Sequence, residues 1–240
     1  MKVESTDSTN SLLKQMLAKG EWPKGEGFLY AGFQTAGRGQ TGNGWESEEG
    51  KNLLCSILLP PRENLFELNI IVSVAVQRLL GEDFTIKWPN DIYWGDKKIA
   101  GILIENAIVG SEVKYSIAGI GLNVNQTEFQ SDAPNPTSLK QITGKEYDID
   151  QLMQKLYDEV QRTSQEDVWG EYKAHLYRRE GFWPFVEREV STAPTMNADK
   201  ETKDAFMAQI KDILSTGEIV LIDKDNKERI YHFKQIRYVV

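Results

Sequence analysis

Between Phe84 and Asn123 the chain alternates apolar runs with tight-turn signals too closely for any crossover helix to fit between them. Phe84 to Trp88 reads as a strand, followed by the turn Pro89-Asn90-Asp91 and a short strand from Ile92 to Trp94. The turn Gly95-Asp96 leads into a long strand, Lys97 to Asn106, and Gly110-Ser111 returns the chain as Glu112 to Asn123. Parallel neighbours need a connection of a dozen or more residues, whereas strands joined by tight turns make hairpins. The sheet is therefore mixed and largely antiparallel, and a doubly wound parallel sheet is excluded.

Helices surround this sheet. Ser8-Thr9-Asn10 stands where an N-cap belongs, ahead of Leu12, Leu13, Met16 and Leu17 at helical spacing, and Gly20 stops the run. The same three polar side chains, with a helix N-terminus behind them, could instead face a polar ligand. Asn64 to Leu80 follows Pro60-Pro61 with one apolar face and packs on the sheet. Asp150 is expected to cap a helix through Val160, and a further helix to run through Tyr172 to Tyr177. Phe28 to Phe33 and Asn52 to Leu59 read as strands.

From Trp183 the texture changes to short strands: Phe185 to Val190, Phe206 to Ile213, Glu218 to Asp223, Arg229 to Phe233 and Ile236 to Val240. They suggest a small closed β unit carrying Ser191 to Asp204 as an inserted polar loop. The expected organisation is an α+β domain over residues 1–182 and a small β domain over 183–240.

Gln34 to Trp45, QTAGRGQTGNGW, sets four glycines around Arg38. So many glycines cannot hold a helix or a strand interior, so the stretch is a loop. Its backbone N–H groups and the Arg38 guanidinium suit an oxyanion, although a ligand-free surface loop has the same composition. Gly37-x-Gly39-x-x-Gly42 meets the dinucleotide spacing, but the next element is the strand from Asn52 rather than a helix, and no GxxxxGK[ST] occurs.

Net charge bounds the partners. At −8 over 240 residues the chain as a whole repels nucleic acid and anionic membrane unless positive groups cluster locally. Cys55 is the single cysteine and sits in an apolar run, which suits a buried inert thiol in a reducing cytoplasm. The N-terminus has no apolar signal core, and the two histidines, His175 and His232, lie outside the glycine-rich and lysine-rich segments. A histidine triad or zinc site is not expected, and no metal ligand is identified.

A second cluster, Lys87-Trp88-Pro89-Asn90-Asp91 followed by Lys97-Lys98, lies on the hairpin. Adjacent strand residues face opposite ways, so one of Lys97 and Lys98 points inward and the other to solvent. An oxyanion loop, an inward lysine and an aspartate at a turn, without a nucleophile, suit acyl activation by a nucleotide. There a carboxylate must approach a phosphate, and cations between the two anions relieve the repulsion.

The segments DSTNSLL, QTAGRGQTGNGW, KWPNDIYWGDKKIAGILIE and GIGLNVN, in this order, resemble biotin protein ligase over essentially the whole chain. The resemblance implies a class II synthetase-like catalytic domain, related to the lipoate ligases, and an SH3-like β-barrel. It implies that biotin is activated with Mg-ATP as biotinyl-5'-AMP and passed to a lysine of a biotin carboxyl carrier domain. Ser8, Thr9, Asn10 and Gln34 would hydrogen-bond biotin. Arg38, Gly39 and Gln40 would lie at its carboxylate and the phosphate, with Lys98 on the developing anhydride. Asn90, Asn123, Trp45 and Phe129 would lie near the nucleotide, and the loop Gln126 to Pro136 would order over the ligand. Asp91 is the candidate to orient or deprotonate the attacking lysine.

Two departures accompany the likeness. Gln40 and Asn43 stand where relatives often carry arginines, which weakens the expected grip on the intermediate. The first ligand motif begins at Ser8, so no DNA-binding winged helix and no repressor activity are expected. A lipoate or octanoate ligase and a non-catalytic biotin sensor remain as alternatives, and a ligand-dependent homodimer fits the resemblance.

Overall fold

The structure is a computed structural model that describes residues 1–40, 44–130, 135–188 and 205–239. In chain order it runs β1 (Lys2–Thr6), α1 (Thr9–Lys19), β2 (Phe28–Gln34), β3 (Leu53–Leu59), α2 (Leu65–Leu80), β4 (Phe84–Lys87), β5 (Asp91–Trp94), β6 (Lys97–Val109) and β7 (Glu112–Leu122). Next come α3 (Leu139–Thr143), α4 (Ile149–Thr163), α5 (Trp169–Ala174), β8 (Trp183–Glu187), β9 (Phe206–Ile213), β10 (Ile219–Asp223), β11 (Glu228–Tyr231) and β12 (Ile236–Tyr238).

The first seven strands form one mixed sheet in the order β1-β2-β3-β7-β6-β5-β4. Only β1 pairs in parallel, with β2, and the other neighbours are antiparallel, as the hairpin signals require. Sequence reading missed β1: its KVEST alternation is too short and polar to separate from a loop. Side-chain parity sorts the two faces. Leu53, Cys55, Ile57 and Leu59 of β3 join the core with the apolar faces of α2 and α4. Ser56, of opposite parity, donates its hydroxyl to Asn10 Oδ1 of α1 at 2.5 Å. Cys55 is buried, and desolvation pushes its thiol up, so it packs as an apolar residue.

Two helices begin elsewhere than the sequence suggested. Asp148, not Asp150, caps α4, accepting from Asp150 N at 2.9 Å and Gln151 N at 3.0 Å. Asp150 lies inside the first turn and pairs with Lys2 at 2.7 Å. The expected helix over Tyr172 to Tyr177 is α5, which starts at Trp169 and ends at Ala174. Beyond it Leu176 bridges Ile86 beside the edge strand β4, and that pairing takes the backbone out of the helix.

The remaining strands make a five-stranded antiparallel sheet in the order β11-β10-β9-β8-β12. The expected boundary at Phe182 falls just before β8. Strand ends shift by a few residues: β8 covers Trp183–Glu187, β11 stops at Tyr231 and β12 stops at Tyr238. The expected inserted loop, Ser191 to Asp204, lies outside the described residues. Trp88 links the two sheets, donating its indole N–H to Gly217 O at 2.9 Å and meeting Phe233 edge-on.

Candidate active site

A cavity of ≈ 240 Å³ opens on the α1 side of the large sheet, walled on one flank by the C-terminal sheet. Its contents follow the strand order. At one end Ser8, Thr9 and Asn10 open α1 beside Gln34 at the end of β2. Further across, Trp45 covers β7 and β6, and Lys98 rises from β6. At the far end Lys87 and Asp91 sit on β4 and β5, against Arg237 and Tyr238 of β12.

At the polar end no side chain of Ser8, Thr9 or Asn10 serves as the cap of α1. Ser8 holds the N-cap backbone position without a side-chain cap bond, and Thr9 and Asn10 are within α1. All three are buried. Gln34 Oε1 accepts from Thr9 N at 2.7 Å and from Thr9 Oγ1 at 3.1 Å, which fixes the Gln34 amide plane. Asn10 Nδ2 donates to Glu105 Oε2 at 2.8 Å, while its Oδ1 accepts from Ser56. Gly119 makes room for this amide, because a Cβ there would come within 2.6 Å of Asn10 Oδ1.

The glycine loop closes through a bridge between Arg38 and Gly44, with Trp45 N donating to Gly37 O at 3.0 Å. Thr41, Gly42 and Asn43 lie outside the described residues, so the expectation about Asn43 does too. Trp45 lays its indole on the sheet where a Cβ on Gly121 would meet it at 2.3 Å. Gln40 Nε2 donates to Asn90 Oδ1 at 3.0 Å, and Asn90 Nδ2 to Asn69 Oδ1 at 2.7 Å, an amide chain tying the loop to α2.

Of the two lysines, Lys97 is exposed and Lys98 lines the cavity. Lys98 and Gly101 have opposite parity, yet both line it. The β5–β6 register supplies the reason. Tyr93 pairs with Lys98 and Ile92 with Ala100, so β6 carries one extra residue, a bulge that re-aims the strand. Lys98 Nζ then lies 2.7 Å from Asp91 Oδ1 and 5.8 Å from the Trp45 ring centre. Arg38 pairs with Glu105 at 2.9 Å.

Arg38, Lys87, Lys98 and Arg237 line this one cavity, with Asp91 the one carboxylate among the described lining residues. In a chain of net charge −8 that is a local positive focus, suited to an anion. Sequence reading missed the parts of Lys87, Phe233, Arg237 and Tyr238, since nothing local says that the C-terminal strands return to this wall. Lys87 directly precedes Trp88 in the lysine-bearing hairpin, but the hairpin parity gave it no direction.

Asn123 and Phe129, expected near the nucleotide, are not among the lining residues. The Asn123 amide turns to Thr137 O at 2.9 Å. The Phe129 segment is held against the stretch after Trp45, where Glu46 accepts from Gln130 N at 2.8 Å. Ser131 to Pro134 of the expected covering loop lie outside the described residues. Among the described residues no group of three or more His, Cys, Asp or Glu is placed to hold a metal ion. No described helix is long and apolar enough to cross a membrane.

The fold is shared with solved biotin protein ligases. One from Aquifex aeolicus, solved with biotin and ATP, matches with a TM-score of 0.77 at 24% identity, over 100% of this chain and 98% of that one. One from Leishmania major, solved with biotinyl-5-AMP, matches at 0.63 and 21% identity, over 96% of this chain and 97% of that one. Residues 3–123 match the Biotin/lipoate A/B protein ligase family, and the chain belongs to it.

Two relatives frame that membership. The bifunctional ligase/repressor BirA of Bacillus spizizenii is 37% identical over 142 residues, which cover 55% of this chain and 43% of that protein. The biotin--[acetyl-CoA-carboxylase] ligase of Paracoccus denitrificans is 29% identical over 179 residues, covering 69% and 73%. The chain thus spans less than half the length of the Bacillus relative.

Proposed function

We propose that the chain is an ATP-dependent ligase that makes biotinyl-5'-AMP and transfers biotin to a lysine of a biotin carboxyl carrier domain. The observation that carries this reading is the order of groups across one cavity: amides and hydroxyls at the β2 and β7 end, Lys98 in the middle, and further cations at the β4 end. A neutral polar head with an acid tail fits that order, and the nucleotide's phosphates fall beyond the acid.

Ser8, Thr9, Asn10 and Gln34 hold the ureido ring, the last oriented by Thr9. Arg38, the Gly39 backbone and Gln40 lie along the carboxylate and α-phosphate, and Trp45 and Asn90 border the nucleotide; Asn123, buried behind the wall, and Phe129, on the adjoining segment, act at most from outside the cavity. Lys98 and Arg38 leave Asp91 and Glu105 for the ligand's anions, so the two reactants meet between positive charges. Magnesium arrives with the nucleotide as Mg-ATP and neutralises part of its charge.

In the first step a biotin carboxylate oxygen attacks the α-phosphorus, the bond to the bridging oxygen breaks, and pyrophosphate leaves with the electron pair. In the second, a carrier amine attacks the acyl carbon and AMP leaves. A free lysine amine has a pKa of about 10.4, so it must lose a proton, and Asp91 orients or accepts it. Such a reaction belongs in the cytoplasm, where ATP and carboxylases occur together.

Pyrophosphate release, measured with biotin, lipoate or octanoate as the only variable, tests the reading. Release with biotin alone, followed by carrier labelling, is the expected result. Release with lipoate or octanoate instead would make the protein a lipoate-type ligase. Biotin binding without release would make it a sensor.

A further inference from the structure

The two-step reaction gives no role to Lys87, a half-buried lysine of the cavity wall. Lys87 ends the edge strand β4, directly across the hairpin from Asp91. Its Nζ donates to Tyr93 Oη at 3.0 Å and lies 4.6 Å and 5.3 Å from the ring centres of Tyr93 and Tyr238. Its side chain lines the cavity at the end away from α1. In strand order Lys87 is two strands past Lys98, next to Asp91, the carboxylate that Lys98 holds. A phosphate chain that continues past an acid held at Lys98, away from Asn10, meets Lys87 next.

We propose that Lys87 grips the nucleotide's phosphate chain and takes up a proton from solvent as that chain arrives. The proposal rests on the ligase reading. Charges of both signs face Lys87. Asp91 on β5 and Asp96 in the β5–β6 turn oppose it, while Lys98 on β6, Arg178 after α5 and Arg237 on β12 repel it. The phenols of Tyr93, Tyr177 and Tyr238 are pushed upward by burial and stay neutral. Burial pushes the Lys87 ammonium down to about 8, with the three cations adding to the push and Asp91 opposing it.

A polyphosphate brings several negative charges to that spot and favours the charged amine. Near pH 7 the free protein already holds most of the proton, so binding takes up little. As pH rises from about 8 to 9 the free amine goes from about half to mostly neutral, so binding takes up a larger fraction of one proton, carried onto the Nζ lone pair. Nucleotide affinity consequently falls as pH rises through this range, whereas a permanently charged side chain would hold it.

Calorimetric titration with α,β-methylene-ATP and magnesium, in pairs of buffers differing in ionisation enthalpy, reads the proton directly. The wild-type protein is expected to take up more at pH 8.5 than at pH 7. Lys87→Arg should bind at both pH values with no such difference, and Lys87→Met should lose the difference and bind about tenfold or more weakly. Biotin affinity, titrated separately, reports that each variant is folded and should not move. Equal uptake in wild type and both variants, no pH-dependent uptake in wild type, or undiminished affinity in Lys87→Met overturns the proposal. Absence of analogue binding to wild type overturns the ligase reading with it, whereas binding without Lys87-dependent uptake sinks this proposal alone.

Discussion

Asp91 and Lys98 hold each other at 2.7 Å, so each can be tested for what it does once a ligand separates them. Lys98→Ala removes the cation between two anions and should abolish pyrophosphate release. Asp91→Asn keeps the shape and a hydrogen bond but cannot take a proton. It should therefore leave adenylate formation largely intact and slow transfer to the carrier, seen in single-turnover assays. Equal loss of the first step in both variants would remove Asp91 from the second. Gly119 offers a test at the other end of the cavity. Its missing Cβ leaves the space Asn10 fills, so Gly119→Ala must displace that buried amide from Ser56 and Glu105. Biotin KM should rise about tenfold while the KM for ATP stays near wild type, since breaking one buried hydrogen-bonded contact costs ~1–3 kcal/mol. Parallel increases in both constants would mean that the sheet itself had shifted.

At the scale of elements, the mixed sheet was legible because hairpin turns are local, and so were α1 and α2, whose apolar stripes end at Gly20 and Gly81. The inward direction of one lysine was legible too, by parity. That Lys98 and Gly101 share a face was not, because the bulge appears only when β5 and β6 are paired. The α4 cap was misplaced for a similar reason: Asp148 and Asp150 are both plausible caps by composition, and only the backbone distinguishes them. Asp148 accepts two N–H groups, whereas Asp150 makes an exposed ion pair with Lys2. Asp148→Ala should cost about 1 kcal/mol in urea unfolding, and Asp150→Ala less, since exposed pairs contribute about 0–1 kcal/mol. The reverse ranking would restore the cap to Asp150.

For the whole molecule, the decisive feature is that residues about 150 positions apart build one wall, which no local pattern announces: Lys87 and Asp91 face Arg237 and Tyr238. The joint between the two sheets runs through Trp88, buried and bonded to Gly217 O, and through Arg178, which donates to Val239 O at 2.6 Å. Trp88→Phe keeps an aromatic ring against Phe233 but leaves the part-buried Gly217 carbonyl without that donor, a loss of about 1 kcal/mol. Because the joint carries Arg237 and Tyr238 rather than the α1 end, its loosening should be felt unequally. The KM for ATP should rise severalfold while that for biotin changes little, alongside a lower denaturant midpoint. A larger effect on biotin than on ATP would show that the C-terminal sheet supports the whole cavity, and that the nucleotide does not lie against β12.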